Sequence, residues 1–211
     1  MNGFPPRYPA QRVRLPAVGV GQSVGLYGGS FDPVHDGHIL VAEQGLKAVK
    51  LDWIWWLVTP GNPLKAHDPS HGLEARMAAV DKVAGNPRAH ILDVEQHLGV
   101  RYTADTVSIL QTMRPDVRFV WLMGADNLAG FHNWNEWKSI VARVPIAVID
   151  RPGSRHAALS SKVAQRFEKQ RLDSVDAALL PGAKPPIWSF VRGPLSSSSS
   201  TLLRAKRALL S

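Results

Sequence analysis

Two kinds of apolar run alternate along the chain. Short, nearly continuous stretches read as strands buried on both faces: Val24–Tyr27, Trp53–Pro60, His90–Val94, Val117–Gly124, Pro145–Gly153 and Ile187–Val191. Between them lie longer stretches with apolar residues three and four apart, which predict helices. These cover Gly37–Lys50 (Ile39, Ala42, Leu46 and Val49 near one face), Leu73–Gly85 with Gly85 as stop signal, and Thr103–Met113 with Thr103 as N-cap. Asn135–Arg143, Ser160–Leu180 and Ser200–Leu210 complete the set. Strand-helix alternation of this kind predicts an α/β fold with a doubly wound parallel sheet and helices on both faces. Ligands of such sheets bind at the C-terminal ends of the strands, and several unusual stretches here fall just after strands.

Composition narrows the picture. The 211 residues, 45% hydrophobic and 20% charged, suit a single domain, and no internal repeat divides them. No apolar run is long enough to cross a bilayer, so no membrane partner is expected. The absence of cysteine excludes disulfides, thiolate metal sites and a cysteine nucleophile. The net charge of +8 resides at the ends: residues 1–23 contribute +3 and residues 184–211 contribute +5, leaving the stretch between them neutral. Such ends fit anionic small substrates as well as nucleic acid. Residues 1–23 carry arginines and no acids, but Pro5, Pro6, Pro9 and Pro16 would break the amphipathic helix of a transit peptide. The expectation is a flexible N-terminal tail over 1–23, a folded domain over 24–211, and a cytoplasmic protein.

The most unusual stretch is GGSFDPVHDGH, Gly28 to His38. Gly28 and Gly29 follow the first strand, where the missing Cβ atoms let backbone N–H groups approach a phosphate. Gly37 opens a helix whose N-terminus favours anions. His35 and His38, three apart, would face one space and donate to phosphate oxygens. The string lacks both the Gly-Lys-Ser/Thr of a P-loop and the spacing of G-x-G-x-x-G, and two histidines fall short of a structural zinc site.

Taken whole, the string resembles the G-G-[ST]-F-D-P-x-H-x-G-H signature of the nucleotidyltransferase superfamily. Near the other end, SSTLLR (Ser199–Arg204) resembles its I-S-S-T-x-[IV]-R signature, with Ser198 in place of the isoleucine. The resemblance spans roughly Val24 to Leu210 and implies a Rossmann-like fold. It also implies that Gly28, Gly29, Ser30, Phe31, His35, His38, Ser199, Ser200, Thr201 and Arg204 bind ATP, with His35, His38 and Arg204 acting in catalysis. The second signature suits that role on its own terms. Its hydroxyls and free N–H groups begin a helix, and Arg204 lies one turn on, able to grip a phosphate bidentately.

Between the signatures, TPGNPLK (Thr59–Lys65), RYTADT (Arg101–Thr106), GADNLAGFHNWNEW (Gly124–Trp137) and DRPG (Asp150–Gly153) resemble segments of the bacterial nicotinate-mononucleotide adenylyltransferases. That resemblance implies transfer of AMP from ATP to nicotinate mononucleotide, with Mg²⁺ carried on the ATP phosphates and no protein metal site. Trp134 would stack on the cationic pyridinium ring. Tyr102, Thr103 and Asn135 would serve its carboxylate, and Lys65 the mononucleotide's phosphate. Asp126 would meet the adenosine ribose, Arg151 would lie on the ATP side, and Asp36 would face solvent. The nearest alternatives are a sister enzyme using nicotinamide mononucleotide or phosphopantetheine, and a nucleic-acid-binding protein. The paired signatures weigh against nucleic acid, and the sequence leaves room for a homo-oligomer.

Overall fold

The computed structural model describes residues 13–61 and 70–193. Its centre is one seven-stranded sheet, parallel throughout: β1 (Ser23–Gly29), β2 (Trp53–Val58), β3 (Ala89–Leu92), β4 (Arg118–Gly124), β5 (Ile146–Ile149), β6 (Arg171–Leu172) and β7 (Trp188–Val191). The spatial order is β3-β2-β1-β4-β5-β7-β6. The chain winds outward from β1 through β2 to β3, then returns to β4 on the other side. The direction of winding reverses between β1 and β4, so a crevice opens beyond their C-terminal ends.

Helices cover both faces, as the alternation predicts. One face packs α1 (Asp36–Lys47) and α2 (Leu73–Ala84) over Ile54, Trp56, Val120, Leu122 and Ile149. The other packs α3 (Val94–Leu98), α4 (Thr103–Met113), α5 (Ala125–Gly130), α6 (Trp137–Arg143), α7 (Arg155–Leu159) and α8 (Lys162–Arg166) over Trp55, Phe119, Trp121 and Phe190. Helix α1 lies unusually close to the sheet. A Cβ on Gly25 of β1 or Gly45 of α1 would come within 3.0 Å of the same Leu122 and Ile54 methyls. Both faces of the central strands are therefore apolar, which is why they read as continuous runs rather than alternating ones.

The structure departs from the expected elements in several places. Helix α1 begins at Asp36 with His35 as its cap, one residue before Gly37. Thr103 is the first residue of α4, whose cap position is Tyr102. Residues 125–133 form α5 and a 3-10 turn that periodicity did not signal.

The long helix expected over Ser160–Leu180 is broken into α8, a 3-10 turn, β6 and a second 3-10 stretch ending at Gly182. Tertiary contacts override its periodicity. Trp188 Nε1–H donates to the Phe167 carbonyl (2.7 Å), Arg171 lies over the Trp188 and Phe190 rings, and β6 pairs with β7.

Of the segment expected to be a tail, Ser23 opens β1 and the stretch from Val13 packs down. Val13, Leu15 and Val18 lie against the core, and Arg114 donates to the Val18 carbonyl (2.5 Å).

Candidate functional site

Backbone geometry at the end of β1 assembles the first part of the site. The two glycines of the opening string belong to β1 itself, not to the turn after it. Their smallness serves packing: a Cβ on Gly28 would meet the Trp121 ring at 2.7 Å, and one on Gly29 the Phe31 ring at 3.0 Å. Ser30 follows the strand, half-buried, and its carbonyl is held by Arg76. Phe31 turns through a left-handed backbone (φ +48°), sparsely occupied by large side chains. This turn buries its ring edge-on against Tyr27, Trp56 and His38 at centroid distances of 5.3, 5.0 and 5.1 Å.

The two histidines then stack, ring centroids 3.8 Å apart. Each has its Nδ1 committed to the backbone: His35 Nδ1 accepts from the Gly37 N–H (3.1 Å), and His38 Nδ1 accepts from the His35 N–H (3.3 Å). An imidazole that accepts at Nδ1 keeps its proton on Nε2 when neutral. Both rings are thereby fixed as Nε2–H donors at the N-terminus of a twelve-residue helix, whose dipole adds positive potential. Burial, then the Arg151 cation, push the His35 pKa down to about 4, with Asp126 and Asp36 pulling it back in part. His35 is therefore a neutral donor near pH 7. Asp36 itself is exposed.

Across the winding reversal, Gly124 ends β4 and Asp126 lies in the first turn of α5. Arg151, buried just beyond β5, donates from Nε to Asp126 Oδ1 (3.3 Å). Gly124 makes room for that pair, since a Cβ there would stand 3.0 Å from Arg151 Nε and would collide with the Asp126 carboxylate. Asp126 and Arg151 act electrostatically on both Tyr27 and His35, which places the pair beside the histidine turn. Burial, foremost, raises the Tyr27 phenol far above its usual range, so it stays neutral.

Trp134 reaches the same region through aromatic contacts. Its half-buried ring meets Phe131 edge-on at 5.0 Å and Trp121 at 6.1 Å, and Trp121 is the ring that touches Gly28. Asn135 beside it is exposed. Tyr102, also exposed, and Thr103 stand where α4 starts. Lys65, Ser199, Ser200, Thr201 and Arg204 lie outside the described residues. Among the described residues no group of three histidines or carboxylates could hold a metal ion.

Two residues to which motif reading gave no role complete the walls. Arg76 is buried in α2, and Asp32, 3% exposed, accepts from the Ser70 N–H (2.5 Å) and from His71 Nδ1 (2.6 Å). Burial alone would raise the Asp32 pKa, but the bonds from His71 and Ser70 more than offset it and hold the carboxyl below its usual range. A signal for Arg76 was present: with Leu73, Met77 and Val80 it occupies the apolar face of its helix, a position where an arginine must find partners.

Comparison with known proteins bears on the fold and the family. A family profile described as cytidylyltransferase-like matches residues 26–206. A Rhizobium meliloti (strain 1021) protein named "Probable nicotinate-nucleotide adenylyltransferase" is 51% identical over 186 residues, covering 88% of this chain and 99% of its own. A Brucella suis protein of the same name is 51% identical over 182 residues, covering 86% and 94%. Among solved structures, Plasmodium falciparum nicotinic acid mononucleotide adenylyltransferase complexed with NaAD superposes with a TM-score of 0.65 at 19% identity, over 87% of this chain and 83% of that one. The same enzyme complexed with APC gives 0.63 at 18%, over the same shares. At such identity the structural likeness speaks for the fold, and the sequence likeness for the family. Since the profile spans most of the chain and half the residues agree along nearly the full length of its relatives, the chain belongs to the cytidylyltransferase-like nucleotidyltransferases, in the group of the nicotinate-nucleotide adenylyltransferases.

Proposed function

We propose that this protein transfers AMP from ATP to nicotinate mononucleotide, giving nicotinate adenine dinucleotide and pyrophosphate in NAD biosynthesis. A cytoplasmic location goes with that substrate pair. The observation that carries the mechanism is the stacked histidine pair. Two Nε2–H donors, locked by backbone bonds at a helix N-terminus beside a winding reversal, suit a polyphosphate. A phosphate oxygen of the mononucleotide attacks the α-phosphorus of ATP. The bond from that phosphorus to the bridging oxygen breaks, and its electron pair leaves with pyrophosphate.

No residue forms a covalent intermediate, so catalysis consists of alignment and charge stabilisation. His35 and His38 donate to the oxygens that gain charge, joined by Arg204 from the second signature. Asp126 accepts from the adenosine ribose while Arg151 holds its carboxylate in place. Trp134 stacks on the pyridinium ring, where the indole face offers its negative potential to a cation. Tyr102, Thr103 and Asn135 serve the nicotinate carboxylate, and Lys65 the mononucleotide's phosphate.

Mg²⁺ would arrive on the ATP phosphates, since it is commonly held through phosphates and water. Bound there, it would neutralise part of the triphosphate charge.

The test is a pyrophosphate-release assay with ATP and, in turn, nicotinate mononucleotide, nicotinamide mononucleotide and phosphopantetheine. The nicotinate compound should give the highest kcat/KM. A higher value for either of the other acceptors would replace this reading with that of the sister enzyme.

A further inference from the structure

Among the described residues Arg76 makes four hydrogen bonds, and all go to main-chain carbonyls. Nε donates to His71 (2.9 Å), Nη1 to Ser30 (2.7 Å) and Thr59 (2.8 Å), and Nη2 to Pro60 (3.2 Å). The side chain is buried, its residue 3% exposed, and among the described residues it forms no ion pair. Burying a guanidinium with no carboxylate in ion-pair contact is expensive; the Asp32 carboxylate offsets part of the cost from a distance, and a fixed fork of donors meeting fixed acceptors offsets more.

The carbonyls it collects come from three separate segments. Ser30 belongs to the turn after β1 that leads to the histidines. Thr59 and Pro60 follow β2 and open the segment expected to serve the acceptor nucleotide. His71 lies on the approach to α2. A second tie runs parallel to the first, since Asp32 of the histidine turn holds Ser70 and His71. Thr59 N–H also donates to the Gly29 carbonyl (3.0 Å). The donor-side and acceptor-side walls are thus joined by one planar cation.

We infer that Arg76 is a positioning residue for adenylyl transfer: it sets the spacing between the wall that carries the histidine turn and the wall that begins at Thr59. The inference rests on the proposed function. When the substrate supplies the nucleophile, rate depends on how the two nucleotides face each other, and a shift of about 1 Å can cost roughly 100-fold. Each nucleotide alone still finds its own wall intact. Loss of Arg76 therefore lowers kcat far more than it weakens either substrate's binding.

The experiment compares wild-type enzyme with R76A and R76K. The readouts are kcat, calorimetric dissociation constants for ATP and for nicotinate mononucleotide separately, Tm, and turnover with added methylguanidinium. R76A is expected to lose on the order of 30- to 100-fold in kcat, with each dissociation constant within about threefold of wild type. Methylguanidinium should restore part of the turnover of R76A and none of the wild type's. R76K, which has a point charge in place of a planar fork, should fall between, and it carries the same criteria if R76A does not fold. A folded variant with kcat within threefold of wild type would overturn the inference even if Tm fell, and so would a loss confined to the dissociation constants. A wild type inactive with nicotinate mononucleotide would instead overturn the functional reading, and this inference with it.

Discussion

Glu95 is a buried carboxyl with one hydroxyl for company. It sits in α3, 4% exposed, and its Oε1 accepts from Thr106 Oγ1 of α4 at 3.0 Å. Burial raises its pKa from 4.5 to about 7, against the opposing pull of the Thr106 bond. Between those values the folded chain binds a proton that the unfolded chain does not, so this group adds stability as pH falls from 7 toward 4.5. Above pH 7 the folded protein carries the whole cost of a buried charge. The gap between 4.5 and about 7, at ~1.36 kcal/mol per unit, sets that cost at about 3 kcal/mol as a ceiling. Glu95→Gln removes the charge and keeps an oxygen for Thr106, at the expense of seating an amide NH₂.

The informative quantity is the difference in Tm between variant and wild type, measured by scanning calorimetry from pH 5 to pH 8.5. A change of ~1 kcal/mol moves Tm by roughly 2–4 °C at this chain length, so the difference should shift in the variant's favour by about 5 °C or more across that range. The wild-type profile alone would mislead. His35, with its pKa lowered from 6.5 to about 4, loses stability as pH falls through the same region, a slope of opposite sign. Subtracting the two proteins cancels that term. A Tm difference that stays flat from pH 5 to 8.5 would refute the reasoning, whatever its size.

Three further outcomes follow from the site. In the substrate-free enzyme the His35 ring protons should titrate by NMR with a midpoint near 4, and a midpoint at the ordinary 6.5 would contradict the burial and Arg151 effects. Gly124→Ala forces a methyl into the space of Asp126 and Arg151, so kcat/KM for ATP should fall about tenfold or more, overpacking costing ~1–3 kcal/mol; unchanged ATP kinetics would separate that pair from the nucleotide. Trp134→Ala should raise KM for nicotinate mononucleotide roughly tenfold while leaving KM for ATP in place, as expected for one cation–π stack. An equal rise in both would make Trp134 a core residue, a role its contacts with Trp121 and Phe131 also allow.

Much of the sheet was legible because its strands are buried on both faces and so appear as unbroken apolar runs. Trp53–Val58 and Arg118–Gly124 needed only their composition to be found. The stretch from Ser160 to Leu180 was not, because its helical spacing competes with partners far along the chain. Trp188 takes the Phe167 carbonyl, and β7 takes Arg171 and Leu172 into the sheet. Residues 13–22 were unreadable for a similar reason: Pro16 disrupts any helix there, and only the folded core shows what Val13, Leu15 and Val18 lie against.

The histidine turn and Arg76 illustrate two ways in which a site can be written in a chain. His35 and His38 sit three apart, at the N-cap and the third position of α1, so the capping turn brings their rings together, and the string that contains them announces itself. Even there, the tautomers were hidden, since they depend on which backbone N–H groups reach Nδ1. Arg76 has no local string. Its partners lie 5, 16, 17 and 46 residues away, and they are carbonyls, which every residue carries. A side chain that recognises main chain leaves no complementary residue type for a sequence to show. Motifs therefore reveal the groups that would touch phosphate, whereas the groups that hold two walls at a fixed spacing become visible only as a polar residue at an apolar position. For a reaction that works by alignment, that second class bears on rate as directly as the first.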